Sequence, residues 1–287
     1  MSRLLFVHAH PDDESLTCGV AMAHHVARGD EVHVLTCTLG EEGEVIPRAL
    51  GHLEGHPDDA LGPHRLGELH EALSHIGARL HLLGSGESRA PRYRDSGMAG
   101  SAAAERPDAF ARADVDEAGQ LVAAVIRQVR PDVVVTYDAH GGYGHPDHIQ
   151  THRVTRAGLG LLADDELPSR TLEILTPARW AREDRRWLRG HVAPGDRLTL
   201  LSDDDPYPPS VVDDSRITHV VEDAAAREVK NAALRAYATQ VVVLSEDVHA
   251  LSNRIAARTT AREAFGRVDP RTWQPVPTRP VRGGLAE

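Results

Sequence analysis

The chain has 287 residues and a formal net charge of −11, with 41% of its residues hydrophobic, enough to bury one large core. The acidic balance, without a Lys/Arg run or an aromatic-basic platform, excludes broad binding to a phosphate backbone and so excludes nucleic acid as a partner. No apolar run reaches membrane-span length and no leader-type apolar segment precedes the first polar motif, so a cytoplasmic protein without a membrane partner is expected.

Arg3 to Val7 (RLLFV) is an apolar run of strand length, and Ser15 to Ala27 spaces its apolar residues as a helix does. Between them lies VHAHPDDE, Val7 to Glu14, in a strand-to-helix crossover, which is where open α/β sheets bind ligands. Glu31 to Thr38 alternates like a second strand. It leads into LGEEGEV, an acidic loop at the same sheet edge, in which Glu44 is a candidate substrate contact. A second HPDD, His56 to Asp59, follows no apolar strand and reads as a decoy.

Leu66, Leu69, Leu73 and Ile76 mark a helix over 63–76, with Arg65 and Glu68 on its flank, and His81 to Leu83 reads as a third strand. Residues 84–107 form a long loop, in which Arg94-Asp95-Ser96-Gly97-Met98 could bind hydroxyls of a polar substrate. A helix over Val115 to Val129 ends at Pro131, and Asp132 to Tyr137 (DVVVTY) reads as a central parallel strand. It delivers DAHGGYGHPD, Asp138 to Asp147, and then His148, which opens another helix.

Thr171 to Thr176 is a fifth strand, 177–215 is irregular with the composition of an insertion or lid, and Ile217 to Val221 is a short strand. Helices are expected over Asp223 to Ala238 and Glu246 to Arg258, and from Asp269 onward Pro, Arg and Gly predict a poorly packed tail. The whole reads as a single α/β domain spanning 1–287. Cys18 and Cys37 lack CxxC spacing and are expected to be buried free thiols.

The chemistry concentrates in the two His-rich crossovers. His10 and Asp13 can supply one nitrogen and one oxygen to a divalent ion, while Pro11 fixes the backbone and leaves Asp12 free as a proton carrier. Each motif taken alone reads more readily as a helix cap than as a ligand set. With both at strand ends, a remote histidine from the cluster of His145, Asp147 and His148, completing a three-ligand centre, becomes the better account. His152, one turn beyond His148, competes as a ligand or supporting partner. No GxGxxG follows the first strand, which argues against a nucleotide-binding module.

AHPDDE together with GHPDH after a later strand resembles the LmbE-like (PIG-L type), zinc-dependent N-acetylglucosaminyl deacetylase family. The segments FVHAHPDDES, TCTLGEEGEV, RDSGMAG, TYDAHGGYGHPDH and ATQVVV are similar to its branch in actinobacterial mycothiol biosynthesis. The resemblance implies a Rossmann-like open, mostly parallel sheet with helices on both faces and a metal site at the C-terminal strand ends. It implies hydrolysis of the acetamide of N-acetylglucosaminyl inositol, giving glucosaminyl inositol and acetate. The alternatives are a mycothiol S-conjugate amidase and a deacetylase of another N-acetylglucosaminide. The amidases tend to carry a Lys shortly after HAHPDDES and a Pro in place of Gly144, and this chain has neither.

Carried onto matching positions, the resemblance implies that His10, Asp13 and His148 bind Zn2+, a ligand set that also accepts Fe2+. Asp12 would be the general base that later acts as acid, Tyr143 and His145 would stabilise the oxyanion, and Asp147 would orient His145. Arg65, Asp95, Glu44 and Met98 would line the pocket for an amino-sugar substrate. Position 140 is His where the family often has Asn, and 177–215 departs from its pattern.

Overall fold

The apolar run at the N-terminus becomes β1 (Arg3–His8), and Leu4, Leu5, Phe6 and Val7 are all fully buried. A strand with no exposed face needs a strand on each side and helices above and below, and β1 has both. The structure, a computed structural model, describes residues 1–55, 58–86, 90–193 and 197–287. Chain order runs β1, α1 (Asp13–Ala27), β2 (Glu31–Thr36), α2 (Leu61–Ile76), β3 (Arg79–Leu82), α3 (Val115–Val129) and β4 (Val133–Tyr137). It continues through the single turn α4 (Gly141–Gly144), α5 (Pro146–Gly160), β5 (Arg170–Pro177), α6 (Ala178–His191), β6 (Val211–Val212), β7 (His219–Glu222) and α7 (Ala224–Ala236). The short strands β8 (Val242–Val243), β9 (Val248–Ala250) and β10 (Ala256–Arg258) precede β11 (Arg262–Val268) and β12 (Val281–Arg282).

Strand order is β12-β7-β11-β5-β4-β1-β2-β3, with β6 beside β5. Strands β3, β2, β1, β4 and β5 are mutually parallel. The long β11 is antiparallel to both β5 and β7. The sequence runs outward from β1 through β2 to β3, then returns to place β4 on the other side of β1. That reversal opens a crevice between the carboxyl ends of β1 and β4.

Alternate residues of β1 face opposite layers. Leu4 and Phe6 pack with Met22 of α1, Leu69 of α2 and Leu234 of α7, while Leu5 and Val7 pack with Val122 of α3 and Val154 of α5. The mostly parallel α/β sheet with helices on both faces is therefore as expected. A buried ion pair joins its layers: Lys230 Nζ lies 2.9 Å from Glu263 Oε1, and Glu263 accepts the N–H groups of Val20 and Ala21.

Three expectations are corrected. Residues 246–258 form no helix: β9 and β10 make a three-stranded antiparallel sheet with β8, turned at Arg254 (φ 58°), so hairpin pairing overrides helical spacing. The tail from Asp269 is packed, because a few apolar residues among the prolines and arginines find sites. Trp273 lies against His152, β12 pairs with β7, and Leu285 is fully buried. Within 177–215, α6 is a regular helix that buries Trp180, Arg185 and Leu188, and Arg185 binds the carbonyls of Ser202, Asp205 and Pro206.

Candidate active site

Both His-rich crossovers leave the sheet at the reversal between β1 and β4. His10 Nδ1 stands 3.2 Å from Asp13 Oδ2, His148 Nε2 stands 3.3 Å from the same oxygen, and the two nitrogens are 3.4 Å apart. Ligand atoms about 2.0–2.1 Å from a tetrahedral ion stand about 3.4 Å from one another, so this triangle has the edge of an ion-binding face. The donor set therefore fits a divalent ion with a coordination position to spare.

The tautomers agree with that fit. His148 Nδ1 donates to the carbonyl of Gly141 at 3.2 Å, which leaves the Nε2 lone pair facing the triangle. Its ring stacks on Tyr137, with centroids 4.3 Å apart. His10 points Nε2 at Asp147 Oδ2, 3.2 Å away, and at Asp95 Oδ1, 3.4 Å away. A carboxylate on the far nitrogen fixes a ligating imidazole and raises its basicity. Burial opposes a charge on His10, but Asp95, Asp13 and Asp147 raise its pKa well above the usual histidine range. Asp13 is also buried, yet His148 and His10 hold its carboxyl well below the usual range.

Local sequence explains the placement. Asp13 Oδ2 accepts the N–H of His10, closing a turn over Pro11 at the start of α1. Gly141 has φ +62°, and a Cβ there would meet Ile149 N at 2.6 Å, so only glycine lets the backbone pass close enough to hold His148. His145 caps α5: its Nδ1 accepts the N–H of Asp147 at 3.2 Å.

Asp12 lies beside the triangle, 8% exposed, with Oδ2 accepting from Arg65 Nη2 at 3.0 Å. Burial pushes its carboxyl up to about 8, against the pull of Arg65. Its φ of 113° is unusual for a non-glycine residue, a conformation that costs about 1–3 kcal/mol and clusters at functional sites. His145 is pushed down to about 3 by burial, then by His10 and His148, so its imidazole is neutral. Because Nδ1 accepts, the proton sits on Nε2 as a donor. Tyr143 is 58% exposed on the rim, its ring 5.0 Å from that of His148.

The other expected residues fall into two groups. Asp95 is buried against His10 and accepts the N–H groups of Glu42 and Gly97. Arg65 is buried too, its guanidinium on Asp12, Pro11 O and Gly40 O. Glu44 and Met98 are exposed. The orienting contact of Asp147 with His145 is made by the backbone N–H of Asp147, while its carboxylate serves His10. His152 turns away from the triangle: Nδ1 donates to Tyr137 O and the ring packs on Trp273. His56 and Pro57 of the second HPDD lie outside the described residues, and Asp59 pairs with Arg94.

Among the described residues, two further groupings place their ligand atoms within 4.8 Å of one another: His10, His145 and His148, and His10, Asp95 and Asp147. The second uses the face of His10 opposite the triangle. Pattern reading missed Tyr137 and Glu14, which support the site from behind. The available signal was Tyr137 at the very end of a central strand.

A doubly wound sheet whose reversal point carries two imidazoles and a carboxylate at ion-binding spacing, with a second carboxylate alongside, defines an α/β protein with a metallohydrolase-type centre. Residues 5–159 match the family described as PIG-L: GlcNAc-PI de-N-acetylase, and the chain belongs to that family. It is 48% identical over 265 residues to the 1D-myo-inositol 2-acetamido-2-deoxy-alpha-D-glucopyranoside deacetylase of Streptomyces avermitilis, covering 88% of this chain and 87% of that protein. The protein of the same name from Thermomonospora curvata is 44% identical over 275 residues, covering 93% of this chain and 90% of its own. The fold is shared with the zinc-inhibited form of teicoplanin deacetylase Orf2 (TM-score 0.54, 17% identity, 93% of this chain and 99% of that one). Among the described residues no helix is long and apolar enough to cross a membrane.

Proposed function

We propose that this chain, acting as one α/β domain in the cytoplasm, hydrolyses the acetamide of N-acetylglucosaminyl inositol, releasing acetate and glucosaminyl inositol for mycothiol biosynthesis. The observation that carries the chemistry is the His10, Asp13 and His148 triangle, with edges of 3.2, 3.3 and 3.4 Å, next to the buried Asp12. The names of the relatives, and similarity to them over 88–93% of this chain, support the substrate.

His10, Asp13 and His148 would hold Zn2+, and Fe2+ suits the same donors. Such an ion supplies a Lewis acid that polarises a carbonyl and acidifies water. Asp12 takes the proton of the attacking water and returns it to the departing amine. The Nε2–H of His145 donates to the oxygen that becomes negative as the carbonyl carbon turns tetrahedral, and Tyr143 adds its hydroxyl from the rim. Asp95, Arg65, Glu44 and Met98 border the sugar and inositol. Asp95 and Arg65 do so from within, behind His10 and Asp12.

The test is parallel turnover of N-acetylglucosaminyl inositol and a mycothiol S-conjugate by metal-loaded protein. Acetate release from the first at the higher kcat/KM supports the reading, and preference for the conjugate replaces it with the amidase. Asp12→Ala should keep its metal and lose most turnover, whereas His10→Ala and His148→Ala should lose the metal. An Asp12→Ala protein with unimpaired deacetylation removes the base assignment.

A further inference from the structure

We propose that Glu14 is a positioning residue that holds the Asp12 carboxylate in its working orientation by gripping the peptide bond between Pro11 and Asp12; this rests on Asp12 being the proton carrier. Asp12 combines φ 113° with ψ −36°, outside the ordinary left-handed well, and its side chain makes no capping bond to α1. A residue in that conformation relaxes unless its neighbours over-determine it.

Both polar atoms of the peptide are held. The N–H of Asp12 donates to Glu14 Oε2 at 3.1 Å, and the carbonyl of Pro11 accepts from Arg65 Nη2 at 2.5 Å. Arg65 also holds Asp12 Oδ2, so the backbone clamp and the carboxylate share one rigid support.

Glu14 is itself anchored. It is fully buried, and its Oε1 accepts from Ser15 Oγ at 2.5 Å and from the Tyr237 hydroxyl at 2.5 Å. Tyr237, also fully buried, lies at the end of α7, so the clamp is tied to a helix packed on α1. A buried carboxylate with three donors and no Lys or Arg paired to it among the described residues is a costly way to start a helix. A simple cap would need only a serine or an aspartate at position 12 facing the helix. The geometry instead spends this carboxylate on the conformation of the residue beside the ion triangle.

The prediction separates positioning from mere structure. Glu14→Ala should lower kcat about 100-fold while KM stays within about twofold, because a shift of about 1 Å in a reacting group suffices for that loss. Zn2+ affinity, measured by chelator competition, should be unchanged. In an Asp12→Ala background the same change should cost nothing more, since it acts through the missing carboxylate. Glu14→Gln keeps one acceptor for the Asp12 N–H and should recover kcat to within about tenfold of wild type. Tyr237→Phe, which preserves the core shape, should lower kcat alone and guards against misfolding of the alanine variant. Wild-type kcat in Glu14→Ala, additivity with Asp12→Ala, or loss of metal in step with activity each overturns the proposal. If wild-type turnover survives Asp12→Ala, the base assignment fails, and this proposal falls with it.

Discussion

Asp147 Oδ2 stands 3.2 Å from His10 Nε2, although 137 residues of chain separate them. The same oxygen accepts the N–H of Ser96, so the second crossover and the long loop after β3 meet on the far face of an imidazole delivered by the first. Asp147→Ala should weaken metal binding about 10- to 100-fold without removing a ligand, because the His10 ring loses its tether. Chelator competition measures this, and unchanged affinity would show that the ring is held by other means.

The role proposed for His145 is that of a donor, not a ligand. His145→Ala should lower kcat about 100- to 1000-fold and leave bound metal at wild-type level. Metal analysis of the purified variant decides between the two roles, since loss of the ion would make His145 the third ligand in place of Asp13.

Gly141 and Gly142 both have positive φ, but only at Gly141 would a Cβ strike backbone, Ile149 N at 2.6 Å. Gly142→Ala should cost about 1 kcal/mol of strain, and Gly141→Ala more, at least about 3 kcal/mol. The second variant should also bind metal more weakly, because Gly141 O receives the His148 Nδ1–H. Chemical denaturation with metal titration checks the ranking.

Away from the site, burial pushes His219 down to about 4, helped by Arg170 and Arg267, and pushes His249 down to about 4, helped by Lys230. Unfolded histidine binds its proton near 6.5, so the unfolded chain takes up protons first as pH falls. Stability from these two residues is complete above about 6.5 and lost toward about 4, by up to about 3 kcal/mol each. In metal-free protein, His219→Gln with His249→Gln should flatten the decline in stability between pH 7 and 5. An unchanged slope would assign the acid sensitivity to carboxylates.

The sequence by itself determined the central strands and the chemistry they deliver. RLLFV and DVVVTY are strands because a run without a polar face can only be buried between two layers, and the His-Pro-Asp motifs lie in the crossovers that leave them. Only the tertiary structure decided which atoms meet. That the Asp147 carboxylate serves His10, that His152 faces Trp273, and that Tyr237 anchors Glu14 beside Asp12 depend on contacts between distant residues, which local spacing does not encode. The same holds for the β8 to β10 sheet and for Leu285: short segments take the conformation that their surroundings reward, and those surroundings come from elsewhere in the chain.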